Sequence, residues 1–166
     1  MTDNYIQIDN DDIVTLKIKT KDGKETGEVL TFDINDIELP LLYQDMMFAI
    51  RKNAEKLKND FIVIDKRPDL KGKKMLSKNE EDKIKAFNEF TKKQLEAYNL
   101  FLGPNGAEKL LNGRKLGWTT ISEIDKIIDT QIAPHLEITM TDIINKIVNK
   151  YDTTNEEELK WIIQHI

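Results

Sequence analysis

Residues 101–118, FLGPNGAEKLLNGRKLGW, constrain the fold of this chain more than any other stretch. Gly103 and Pro104 stop a helix arriving from the N-terminal side, because proline lacks the amide proton and disfavours helical geometry in the residue before it. Asn105 then offers a cap for one short helix, and Gly113 offers a left-handed terminator. The result is a compact connector inside a strongly helical region.

A chain of 166 residues is long enough to bury one core without disulfides or metal. Its charged fraction of 33% and mean hydropathy of −0.52 describe a heavily solvated surface, yet it is too rich in Ile, Leu and Phe to be disordered. Cysteine is absent, which removes disulfides, thiol nucleophiles and thiolate-bound zinc and makes an intracellular, cytoplasmic setting the simpler expectation. The acidic start, MTDNYIQIDNDD, is unlike a secretory signal, and no apolar run approaches the roughly 20 residues that span a bilayer.

The expected fold is α+β and mostly helical: an N-terminal β-hairpin followed by about four to five helices. Residues 13–19 alternate apolar and polar, Lys21-Asp22-Gly23-Lys24 supplies a turn, and residues 27–34 resume an extended pattern, giving a hairpin over 13–34. Asp36 can cap a helix within 36–59 that carries Leu39, Leu42, Met46 and Leu57. The run 61–64 reads equally as a third strand or as the tail of that helix. Ser77 and Glu80 form a capping box for a helix over 78–102, with Ile84, Phe87, Phe90, Tyr98, Phe101 and Leu102 along its apolar stripe. A short helix over 105–112 follows. Thr120 and Glu123 match a second capping box, opening a helical stretch over 120–150 that Pro134 kinks or divides. Residues 1–151 are read as a single domain. Residues 152–166 are a helical extension carrying Trp161, Ile162, Ile163 and Ile166, which either docks on its own domain or offers an amphipathic face to a neighbour.

No constellation of catalytic or metal-ligating residues emerges, so no enzyme activity, cofactor or metal is expected. His135 and His165 have no nucleophile nearby in the sequence. The acids at Asp9, Asp11 and Asp12 lack the pattern of a calcium loop. The glycines of the connector fail the Walker pattern, since Gly106 is followed by Ala107 and an amphipathic helix precedes it. A net charge of −5 disfavours general affinity for nucleic acid. One local exception is KRPDLKGKK at 66–74, which reads as a solvated linker or as a phosphate-binding loop without interleaved aromatics.

The order of these elements, with a long helix ending in F-L-G-x-x-G-A-x-K-L-L-N-G, resembles the small tail assembly chaperones of long-tailed, siphovirus-like bacteriophages. Phe101, Gly103, Gly106, Ala107, Lys109, Leu110, Leu111 and Gly113 carry the likeness, which extends over about residues 13–151. Pro104 and Asn105 depart from the glycine connector of that family, and the tail after Tyr151 has no counterpart in it. The resemblance implies a non-enzymatic protein of the host cytoplasm that binds the tape measure protein, helps recruit tail tube protein and self-associates. Phe101, Leu102, Trp118, Trp161, Ile162, Ile163 and Ile166 are the candidate protein-interaction residues. Two other readings remain: a structural adaptor of the phage particle, and a regulatory protein that binds nucleic acid through the 66–74 loop.

Overall fold

The computed structural model describes residue 6, residues 12–150 and residues 164–165. Strands β1 (Ile13–Lys19) and β2 (Glu25–Asp33) pair antiparallel. Among described residues 12–150, five α-helices follow: α1 (Leu39–Asp65), α2 (Lys78–Leu102), α3 (Gly106–Leu111), α4 (Trp118–Ile127) and α5 (Ala133–Lys150). The fold is thus α+β and mostly helical, as the periodicities predict. Two compact units divide the chain, one of Met1–Pro40 with Ile127–Ile166, the other of Leu41–Lys126. Trp161, Ile162, Ile163 and Ile166 lie outside the described residues.

In the first unit, the hairpin closes as the Gly23 amide donates to the Thr20 carbonyl and the Thr20 amide donates to the Lys24 carbonyl. Val14 faces Phe32 and Leu16 faces Leu30 across the ladder, and Leu30 and Phe32 are buried. Ile13 sits on the other parity and is exposed, so one side of the ribbon carries the apolar load. The register shifts between Lys17 and Lys19, opposite Gly27 at φ 81°, where a left-handed residue takes up the extra length of β2. Beyond the hairpin, the Asp36 carboxylate accepts from the Glu38 amide and so shapes the turn into α1.

The helical backbone continues without a break through 118–150, which resolves the alternatives that Pro134 left open. Between α4 and α5 runs a π-helical turn, Ile128–Ile132, in which the Ala133 amide donates to the Ile128 carbonyl five residues back. Proline at 134 cannot make the usual bond to the fourth residue back and its ring crowds that carbonyl. The helix widens just ahead of it instead of ending. Ile128, Ile132, Leu136, Met140 and Ile143 are buried at spacings of three and four, one continuous inward row.

In the second unit, α1 runs on to Asp65, so residues 61–64 are helix and not strand. Leu57, Phe61 and Ile64 share one face at helical spacing, and Ile64 is buried. Helices α1 and α2 meet through the Tyr43 and Phe101 rings, edge to face with centroids 5.2 Å apart, and through the Asn53 amide donating to the Gln94 side-chain carbonyl at 3.1 Å. Buried Gln94 reaches the Tyr98 hydroxyl at 3.4 Å, and that hydroxyl donates to the Asp125 carboxylate on α4. A chain of polar groups thus fixes three helices in one register, each buried member being satisfied by the next. The α2 stripe is narrower than its sequence spacing implies, because Ile84 near its start is exposed.

Candidate interaction surface

The connector is built from the end of α2. The Gly103 amide donates to the Asn99 carbonyl and the Gly106 amide donates to the Gly103 carbonyl. Gly103 adopts φ 87° and ψ 177°, a conformation essentially reserved for glycine. Asn105 precedes α3 in the left-handed region and makes no side-chain cap bond. The cap comes instead from Asn99 of α2, whose Oδ1 accepts from the Ala107 amide at 2.9 Å while its Nδ2 donates to Glu108 at 2.9 Å. An asparagine late in one helix therefore starts the next, and only the fold brings it there. At the far end Asn112 and Gly113 are both left-handed, at φ 51° and 82°.

Gly103→Ala is expected to cost about 1–3 kcal/mol from backbone strain alone, since no atom lies within 4 Å of the added Cβ. Gly72→Ala is the control: its φ is not left-handed and its surroundings are also open, so the change should be neutral or mildly stabilising. Denaturant midpoints of the two variants, read at equal slope, check the contrast.

The second expected capping box takes another form. Helix α4 starts at Trp118, and Thr120 lies inside its first turn, where its hydroxyl accepts from the Gly117 amide at 2.7 Å. Glu123 turns away to pair with Arg114 at 2.8 Å. This beginning leaves Trp118 at 76% exposure, a large aromatic in water at the exit of the connector.

The candidate residues separate sharply. Phe101 and Leu102 are buried, at 3% and 4%, and belong to the core of their unit: the α2 stripe turns them inward. They are not surface offered to a partner. Gly106, Ala107 and Leu111 are buried, Lys109 and Leu110 half-buried, Gly113 exposed. Trp118 alone among the described interaction candidates is open. Sequence spacing overlooked a further set on α1: Leu41, Phe48, Ile62 and Val63 are all exposed, Phe48 at 70%. Leu41, Phe48 and Ile62 repeat at multiples of seven on the side opposite the buried Met46 and Ile64. A seven-residue count along α1 could have found them.

The 66–74 loop is anchored on the start of α2. Buried Asn79 donates through Nδ2 to the Ile64 and Arg67 carbonyls, and its amide donates to the Asp69 carboxylate at 3.2 Å. The Ser77–Glu80 capping box forms as read, with the Glu80 amide on Ser77 Oγ at 3.1 Å and the Ser77 amide on the Glu80 carboxylate at 2.7 Å. Asp82 accepts from Lys78 at 3.0 Å and from Arg67 at 3.0 Å. The Lys78 ammonium, followed by the Arg67 guanidinium, holds the Asp82 carboxyl below the usual carboxylate range, against partial desolvation. Its stabilising share is present above the ordinary aspartate pKa and is lost as pH falls through the lowered one. A carboxyl-carbon NMR titration should place Asp82 below the ordinary aspartate value, and Lys78→Ala should move it back up.

Among the described residues no group of three or more His, Asp or Glu side chains is placed to hold a metal ion, and no helix is long and apolar enough to cross a membrane. His135 is exposed. Comparison of the chain with protein-family models, with curated proteins and with solved structures finds no match.

Proposed function

We propose that this chain is a non-catalytic tail assembly chaperone, which binds the tape measure protein in the host cytoplasm, keeps its apolar helical segments in solution and assists the addition of tail tube protein. The exposed apolar residues Leu41, Phe48, Ile62 and Val63 of α1 carry this reading. Four large apolar side chains in water on one long helix are costly for a protein that works alone and useful for one that holds helical clients. Trp118 adds a second apolar anchor. The net charge of −5 supports the same role, because like charge keeps a holdase and its bound client from aggregating. The connector pattern from Phe101 to Gly113 supports the family assignment.

The rival is an adaptor that uses the same helices within the finished particle. Mass spectrometry of purified virions separates them. A chaperone is present in infected cells and absent from virions, whereas an adaptor appears in virions at a fixed copy number, a result that would sink the chaperone reading.

A further inference from the structure

The loop between α1 and α2 carries five basic residues and a single acid over 66–74. Its backbone is held in place: buried Asn79 donates to the Ile64 and Arg67 carbonyls, and the Lys78 amide donates to the Leu70 carbonyl at 3.2 Å. The carboxylates near it in the sequence are already engaged. Asp65 pairs with Lys83, Asp69 accepts from the Asn79 amide, and Glu80 closes the capping box on Ser77. Glu81 holds Lys74, and Asp82 holds Arg67 and Lys78. Lys66, Lys71 and Lys73 are left exposed, with no ion pair among the described residues. Beside them Leu70 and Met75 stand 75% and 90% exposed.

Uncompensated positive charge beside two apolar side chains is one half of a recognition surface, and the complementary half is negative charge beside apolar groups. We propose that the loop docks an acidic, apolar-bearing segment of another protein, whose carboxylates meet Lys66, Lys71 and Lys73 while its apolar side chains cover Leu70 and Met75. The bonds from Asn79 and Lys78 order the loop backbone beforehand, which lowers the entropy lost on binding. This surface uses none of the exposed apolar residues of α1, nor Trp118. It does not depend on the chaperone reading.

Lipid and nucleic acid fit less well. Three unpaired lysines fall short of the roughly four to eight basic residues of a lipid-binding cluster, and the chain's net charge of −5 opposes a large anionic surface. The loop has no aromatic residue on which a base could stack. A short acidic segment presents few like charges to the rest of the chain and gives Leu70 and Met75 something to cover them.

A yeast-displayed library of random peptides, selected on the full chain, tests it, with the enriched peptides then synthesised and titrated by fluorescence anisotropy. Peptides that join Asp or Glu to large apolar residues should be enriched, and high salt should weaken their binding. The loop variant Lys66→Gln, Lys71→Gln, Lys73→Gln should bind them about tenfold more weakly, with unchanged circular dichroism. Leu70→Ser with Met75→Ser should also weaken binding but leave its salt dependence. The control Lys85→Gln, Lys92→Gln, Lys93→Gln removes the same charge from exposed lysines of α2 and should bind as the unaltered chain does. Equal loss in the control overturns the proposal, as does a selection that yields no peptide sensitive to the loop variant. Loop-dependent binding of a thymidine oligonucleotide or of phosphatidylserine vesicles, tighter than that of any peptide, overturns it in favour of nucleic acid or a membrane.

Discussion

Phe101→Ala is expected to lower stability by about 3–5 kcal/mol, whereas Trp118→Ala should change it by less than about 0.5 kcal/mol. Both aromatics flank the same connector, but their surroundings are opposite. Phe101 is 3% exposed and stacks edge to face on Tyr43, so truncation opens a cavity and removes a ring pair worth about 0.5–1.5 kcal/mol beyond its area. It would also loosen α2 where Gly103 and Asn99 set up the connector. Trp118 has little to lose on truncation in the free protein. Its loss should appear instead as weaker capture of a client, because exposed aromatics are common binding anchors. Urea titration of both variants, followed by a binding assay on whichever remains folded, reads the two effects separately. A stable Phe101→Ala protein would mean that the α1–α2 core is assigned wrongly.

Leu136→Ala should cost about 2–5 kcal/mol, the second large effect and one confined to the other unit. Leu136 is fully covered, at 0% exposure, in the row formed with Ile128, Ile132, Met140 and Ile143. It follows Pro134 by two residues, just past the π turn, where the helix has least backbone support. Side-chain packing must therefore hold the widened segment in place. Ile138→Ala, two residues on but 76% exposed, is the matched control and should have little effect on the thermal midpoint. Equal effects from the two substitutions would contradict the inward row.

Local signals that act within a few residues were legible. Alternation over residues 13–19 and the turn at Lys21-Asp22-Gly23-Lys24 gave the hairpin, and the Ser77–Glu80 box gave the start of α2, because cap and partner lie three residues apart. Signals that depend on which surface covers which were not. Asn99 caps α3 from the preceding helix, a bond across the connector that no local pattern announces. Phe101 and Leu102 sit on the aromatic stripe, but the stripe tells only that one side is apolar, and the fold turns that side inward. Thr120 resembled a cap and became a first-turn residue once Gly117 and Trp118 extended α4. The exposed row on α1 escaped notice because the stripe through Leu39, Met46 and Leu57 already accounted for the helix. A helix with apolar residues on both sides has one side left for a partner.

The most direct test of the chaperone proposal is co-expression of this chain with a candidate tape measure protein encoded beside its gene, followed by affinity purification and measurement of the soluble fraction of that protein. The chaperone account predicts that the tape measure protein becomes soluble and co-purifies, and that Phe48→Glu with Trp118→Ala on a still-folded chain abolishes both. Tape measure protein that stays insoluble and unbound beside abundant, folded chain would contradict it.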